Sequence, residues 1–237
     1  MALPFAVSYY DLRLKADRLY ITGNPGLEQV SLLMKGGETV ALASPDSAAD
    51  RLFLQVLGGQ RRADAGSIWV AHRDSWLDLM ELPERQRKTV YGQTVGYLGP
   101  GEALDASTPV DIVSSGLRLA GLAPPQVEQR GREVMDWVGI PRRLWQRPVA
   151  GLDRPVQEQM MLARTFAIDY RVIVVGLDLT TLADKNRTRL WQLMAHRRNQ
   201  GTSFIGRFAG EKIACDRTVV LPTSPCEPLT DQELSSN

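Results

Sequence analysis

Apolar and polar residues alternate with a strand-like period at the front of the chain, and with helical periods and short apolar runs further on. Strand-type stretches at residues 7–10, 28–34 and 39–42 come first, with Lys35-Gly36-Gly37-Glu38 as the turn between the last two. The spacing predicts a helix over 48–57, ended by Gly58-Gly59, then a hairpin of 66–70 with 76–79 around His72-Arg73-Asp74, then a strand at 94–98. From Gly99 to about residue 154 the pattern turns helical. Pro109 opens a helix through 120 and Pro124-Pro125 one through about 138, each proline standing where its missing N–H costs little. A helix over 155–169 then leads into Val172-Ile173-Val174-Val175, a continuous apolar run of the kind buried on both faces. A helix over 184–199 and strands at 202–206 and 218–221 complete the order. This predicts one α/β domain over residues 1–221, with a helical subdomain at about 100–155. Residues 222–237 have prolines, serines and acids but no aromatic, and are expected to form a disordered tail.

Composition excludes several classes. The 237 residues are 43% hydrophobic and 23% charged, with 28 basic against 27 acidic side chains. A net charge of +1 recruits neither nucleic acid nor an anionic membrane by its overall field. The pairs Arg61-Arg62, Arg142-Arg143 and Arg197-Arg198 read as solvated helix ends and loops. Cys215 and Cys226 form no C-x-x-C motif, which points to a reduced, cytoplasmic compartment. The first residues lack the basic region of a signal peptide. No apolar run approaches the roughly 18 residues a spanning helix needs, so any membrane link is expected to pass through a partner. His72 and His196 read as surface residues. Tyr9, Tyr10 and Tyr20 read as strand packing, with stacking on an adenine as the alternative.

The stretch from Val40 to Leu54 has the frame of a phosphate-binding loop: an apolar strand, a small-residue turn and an apolar helix. A working loop reads G-x-x-x-x-G-K-[ST], whose glycines let amides curl around phosphates and whose lysine neutralises them. Here Ser44 and Ala49 stand for the glycines, Asp50 for the lysine and Arg51 for the hydroxyl residue, with Ser47 inside the turn. Side chains at 44 and 49 obstruct the glycine conformations. Asp50 turns attraction into repulsion, about 4 kcal/mol per unit pair at ~4 Å and an effective dielectric of ~20. The loop's expected role is a strand-to-helix connection.

The element order resembles the layout of an ABC-type nucleotide-binding domain over about residues 28–221. Gly66-Ser67-Ile68, Val95-Gly96-Tyr97-Leu98, Ala163-Arg164-Thr165-Phe166-Ala167 and the strand 172–175 are similar to family landmarks in their spacing. Within the family, Trp76-Leu77-Asp78-Leu79, residues 140–148 and residues 163–170 look most like the L subunit of the bacterial carbon–phosphorus lyase system of phosphonate degradation. The resemblance implies a P-loop NTPase-like fold: a RecA-like core, an antiparallel β subdomain and an inserted helical subdomain. It also maps the chemical stations. The glutamine falls on Pro100, and the signature on Asp153, Arg154, Pro155 and Val156, with Asp153 read as a helix cap. The Walker B acids fall on Gly176 and Leu177, the D-loop on Thr181-Leu182-Ala183, and the switch histidine on Ala209.

With each station altered, the sequence reading is a non-catalytic pseudo-ATPase: no enzyme, no cofactor and no metal, serving as a scaffold. Its partners are expected to be protein subunits, an ABC partner or a lyase-type complex, with no nucleic acid and membrane contact only through a partner. Trp145, Trp69 and Trp76, with Pro100, are the interface candidates, because tryptophan is enriched at interface hot spots. Two alternatives stand beside this reading. One is an active ABC ATPase with displaced catalytic residues, Asp178 or Glu158 supplying the acid. The other is a sensor of a cationic or neutral ligand, drawn by Asp46 and Asp50.

Overall fold

Each residue of the strand Val172–Val175 is closed off from water, which the side-chain alternation of a strand permits only if both faces of its sheet are covered. The computed structural model describes residues 11–99, 107–208 and 213–224. The expected strand at 7–10 with Tyr9 and Tyr10, as well as Pro100, Ala209, Cys226 and residues 225–237, lie outside the described residues.

The central sheet contains β3 (Thr39–Leu42), β6 (Val95–Leu98), β7 (Val172–Val175), β8 (Ser203–Gly206) and β9 (Arg217–Val219). They lie in the order β6-β7-β8-β3-β9, every neighbouring pair parallel. A second, antiparallel sheet has the order β10-β2-β1-β4-β5. Its strands are β1 (Leu12–Ile21), β2 (Gly26–Lys35), β4 (Ala65–His72), β5 (Ser75–Asp78) and β10 (Thr223–Ser224). The helices are α1 (Ser47–Leu57), α2 (Glu84–Gln93), α3 (Pro109–Leu119), α4 (Pro124–Val138), α5 (Arg154–Phe166) and α6 (Asp184–Asn199).

Two apolar cores sandwich the parallel sheet. Val172, Val174, Ile205, Val40 and Leu42 pack with α1 and the antiparallel sheet. Ile173, Val175, Phe204 and Ala41 pack with residues of α3 to α6. Alternate residues of one strand thus belong to different cores, which is why the run is apolar without a polar face.

Two elements escape the apolar pattern. β1 alternates inward Leu12, Leu14 and Ala16 with Arg13, Lys15 and Asp17, and its charge hides the alternation. It is the middle of the antiparallel sheet, paired with β2 and β4. α2 is polar almost all round and buries only Val90 and Gly92. The chain also pairs once more past residue 221, where Thr223 and Ser224 add a short strand to β2.

At the carboxyl ends of β6 and β7 the Tyr97 ring is hemmed in by three glycines. A Cβ on Gly58 would lie 2.2 Å from the ring, one on Gly99 2.6 Å, and one on Gly176 2.3 Å from the Tyr97 hydroxyl. Gly58→Ala therefore overpacks this contact, and such overpacking costs about 1–3 kcal/mol. A thermal melt should show the midpoint falling by several degrees, and Tyr97→Leu in the same chain should recover part of the loss.

Candidate functional site

α1 leaves β3 through Ala43, Ser44, Pro45 and Asp46, so the start of the helix faces the carboxyl ends of the strands, where open α/β sheets hold ligands. Asp46 caps α1, its carboxylate accepting from the Ala48 amide at 2.7 Å. Ser47 is the first helical residue and Ala49 is fully buried. Ser44 is also buried, and its Oγ accepts from the Leu221 amide at 2.9 Å, tying the loop to the chain beyond β9.

Asp50, at the loop's lysine position, does not face outward. It is fully buried in the first turn of α1 and accepts from the Ser44 amide at 3.2 Å. Its Oδ2 lies 3.3 Å from Nε of Arg207, the residue that follows β8. Burial pushes the Asp50 carboxyl above its ordinary range, outweighing the Ser44 hydrogen bonds and the Arg207 charge that pull it down. Its other oxygen, Oδ1, is buried with no hydrogen-bond partner among the described residues.

Arg207 and Arg51 line a cleft of about 230 Å³ together with Gly176, Leu177, Asp178 and Thr180. Arg51 is exposed and Arg207 partly so. Asp178 is exposed and accepts from the Thr180 amide at 3.1 Å and hydroxyl at 2.7 Å. Those bonds hold its carboxyl below the ordinary range, and the positive charges of Arg207 and Arg51 push the same way. The cleft therefore presents two guanidiniums and one ionised carboxylate.

The other site residues read from the sequence fall elsewhere. Glu158 is buried, and its Oε2 accepts from the Ala183 amide at 3.1 Å and from Asn186 at 2.9 Å, fixing α5 to the start of α6. It does not line the cleft. Asp153 caps α5 by accepting from the Val156 amide at 3.1 Å, while Arg154 donates to the Thr181 carbonyl and Pro155 sits in the first turn. Gly176 and Leu177 border the cleft, with the Tyr97 hydroxyl filling the space a side chain at 176 would need. Trp145 is half-buried, its indole N–H donating to the Ile140 carbonyl at 2.9 Å beneath the Arg142 guanidinium. Trp69 and Tyr20 are exposed on the antiparallel sheet and Trp76 is half-buried there. His72 departs from the surface expectation: it is partly buried against the Thr94 hydroxyl, and burial lowers its pKa.

Sequence reasoning missed Arg207 and the part played by Tyr97. The available signal for Arg207 was its position straight after an apolar strand, at the ligand-bearing end of a parallel sheet.

No protein-family model matches the chain. It is 31% identical over 163 residues to the lipoprotein-releasing system ATP-binding protein LolD of Ruegeria sp. (strain TM1040), covering 66% of this chain and 69% of LolD. It is 31% identical over 168 residues to the sulfate/thiosulfate import ATP-binding protein CysA of Bordetella pertussis, covering 69% of this chain but only 45% of CysA. In structure it is similar to the dimeric bacterial ABC transporter cassette MJ0796, with a TM-score of 0.71 at 15% identity, over 82% of this chain and 87% of that one.

The chain belongs to the ATP-binding cassette family of ABC transporters. The fold is that of a P-loop NTPase-type cassette, with an antiparallel sheet and a helical part beside the core.

These findings overturn the expectation of a non-catalytic pseudo-ATPase scaffold with no enzymatic activity. The relatives at 31% identity are ATP-binding proteins of transport systems. The MJ0796 cassette of the same fold is also known in a post-hydrolysis state bound to ADP and Pi. The physical reason lies in Asp50. The sequence argument set its full negative charge against a nucleotide, whereas in the fold that charge is buried and opposed by Arg207. Among the described residues, no helix is long and apolar enough to cross a membrane.

Because the folded-state pKa of Asp50 is raised, its contribution to stability is complete at low pH and is lost as pH rises through that pKa. Asp50→Asn removes this dependence. Melting curves between pH 4 and pH 7 should show the variant's midpoint gaining on the wild type as pH rises. Asp50→Lys instead sets a second cation against Arg207 and places an unpaired ammonium where Asp50 is fully buried, which destabilises the fold. Its melting midpoint should fall at every pH in that range.

Proposed function

We propose that the protein is the ATP-binding subunit of an ABC-type system, with its phosphate-binding charge displaced from the loop to the strand ends. The observation that carries this reading is Arg207: it follows β8, neutralises Asp50 and reaches the cleft that also holds Arg51 and Asp178. A lysine at position 50 would supply one positive charge to a phosphate. Here Asp50 and Arg207 cancel to first order, since an opposite pair at ~4 Å and an effective dielectric of ~20 attracts by about 4 kcal/mol, the size of the repulsion the sequence implied. Arg51 remains as the exposed cation, and Arg207 has donors beyond the Nε that faces Asp50. Guanidiniums match phosphate oxygens with paired N–H donors and stay charged at every physiological pH.

Asp178 is the acid of this arrangement. It is ionised and cleft-lining, whereas Glu158 is committed to Asn186 and Ala183. Magnesium that arrives with a nucleotide needs only one or two protein carboxylates, the rest of its shell being phosphate and water. Asp178 fits that role, and the metal would supply charge neutralisation between phosphate oxygens. Asp178 would also accept a hydrogen bond from an attacking water.

Transport relatives suggest that the partner is a membrane-embedded subunit. A groove of about 620 Å³ between α3 and α4, bordered by Trp145, Arg142 and Met135, is the surface we assign to it. The resemblance of residues 140–148 and 163–170 to the lyase-system L subunit supports a narrower version, with the partner in phosphonate metabolism. Purification of the native complex separates a membrane protein from lyase-type subunits. Trp145→Ala, first checked for an unchanged melting curve, should weaken that co-purification.

Nucleotide binding is the direct test. Labelled ATP should bind saturably, and more tightly with magnesium than without. Arg207→Gln and Arg51→Gln should each weaken it by about tenfold to a hundredfold, the range for charge-assisted hydrogen bonds. Asp178→Asn should slow hydrolysis more than it weakens binding. Absence of saturable binding at millimolar ATP, or indifference to both arginine changes, would overturn the assignment.

A further inference from the structure

Asp50 does not line the cleft of Arg51, Asp178 and Arg207, yet it holds one end of an arginine that does. Its carboxyl is fully buried, and the two oxygens are unequal. Oδ2 accepts from the Ser44 amide at 3.2 Å and lies 3.3 Å from Arg207 Nε. Oδ1 has no hydrogen-bond partner among the described residues. A buried carboxylate oxygen that neither water nor a donor solvates is the least costly place to add a proton. A proton on Oδ1 cancels the charge and leaves Oδ2 an acceptor, so the Ser44 amide keeps its bond and the loop its shape.

The charges that reach this carboxyl come from two directions. Arg207, at the end of β8, pulls its pKa down, and Asp46, at the cap of α1, pushes it up. Arg51, the next residue of α1, and Asp178, beyond β7, line the cleft, and there the Arg51 charge acts on Asp178. Burial outweighs the other influences on Asp50, so it gains a proton above the ordinary carboxylate range, while Asp178 stays ionised. Arginine keeps its charge throughout. An anion entering the cleft beside an ionised Asp50 meets an Arg207 already paired, and is repelled by the carboxylate behind it. Protonation of Asp50 removes both obstacles.

We propose that Asp50 is a positioning residue that sets the phosphate affinity of the cleft: ionised, it holds Arg207 back from a bound phosphate, and protonated, it releases that charge to the cleft. The proposal rests on the assignment of this cleft to phosphate groups. Coupling of this kind is reciprocal, so a bound anion also favours the protonated form of Asp50. A lysine at the same position, charged across the physiological range, would give an affinity flat in pH.

Sulfate is the probe, because it stays a dianion where nucleotide phosphates themselves take up protons. Its displacement of labelled ATP from the full chain, at constant ionic strength, gives its affinity between about pH 4 and pH 9, a window that brackets a raised carboxyl and spares arginine. Sulfate should bind about fivefold or more tightly at the acid end than at the alkaline end, the lower bound of usual coupling between sites. Asp50→Asn should bind it at every pH about as tightly as the wild type does in acid. Calorimetry of the wild type in buffers of different ionisation heat should show proton uptake on sulfate binding near the midpoint of the profile, a readout that needs no variant. A flat wild-type profile, tighter binding as pH rises, no displacement of ATP by sulfate in acid, or an undiminished pH dependence in Asp50→Asn would each overturn the proposal. Arg207→Gln tells the two assignments apart. If it weakens ATP binding while Asp50→Asn keeps the wild-type profile, the cleft holds phosphate and Asp50 does not govern it. If ATP does not bind at all, the phosphate assignment fails and this proposal with it.

Discussion

Double-sided burial of the parallel sheet is the constraint from which the rest of this molecule follows. All four residues of β7 are sealed between two apolar cores, and β8 is buried along its whole length. A strand covered on both faces has no surface for chemistry along its length, so polar function is confined to its ends. At the carboxyl end stand Gly176 and Arg207, and at the amino end Arg171 and Thr202. The loop to α1, the Tyr97 packing and the cleft of Arg51, Asp178 and Arg207 are arranged around the carboxyl ends.

The Asp50–Arg207 pair shows why a motif read residue by residue misjudges an electrostatic site. Sequence supplies the sign of each charge but not its depth or its opponent. Asp50 carries the wrong sign for a phosphate loop, and that sign dominated the expectation. In the fold, the carboxylate is removed from solvent, bound by Ser44 and opposed by an arginine 157 positions later in the chain. The start of a helix favours a carboxylate through the macrodipole, but here desolvation outweighs the favourable contacts and raises the carboxyl's pKa. The group's value is then a matter of pairing with Arg207 and of tying the Ser44 loop to α1.

Most of the fold was legible because burial on two faces writes a strong signal into a sequence. Residues 172–175 announced themselves by being apolar throughout, and α6 by its boundaries at Asp184 and Asn199. Pro109 and Pro124 marked the starts of α3 and α4. Where burial is one-sided or slight, the signal weakens. β1 was lost because Arg13, Lys15, Asp17 and Arg18 crowd its outer face, and α2 because two small buried positions leave almost no apolar stripe. Of the candidate site, the loop frame was readable, and Asp178 stood in the sequence only as an alternative acid. Arg207 was not, since its role depends on a long-range approach to Asp50 that no local pattern encodes.

Arginine placement completes the argument. A net charge of +1 gives the sum of the charges and not their placement. The Arg197-Arg198 pair reads as a solvated helix end, yet Arg197 is buried, donating to the Phe166 carbonyl and to Asp169. Arg198 turns the other way, to the carbonyls of Gly37 and Ala214 and to Asp216. Two adjacent guanidiniums at the end of α6 therefore do different work, one tying the end of α5 and Asp169 to α6 and the other fastening β3 and its neighbour at the sheet edge. The same residue type at the carboxyl end, Arg207, opposes a buried acid and also lines the cleft beside Arg51 and Asp178. In each case the long side chain carries charge from a strand or helix terminus to a place the backbone does not reach, so charge at both ends of the sheet can change while its apolar interior stays fixed.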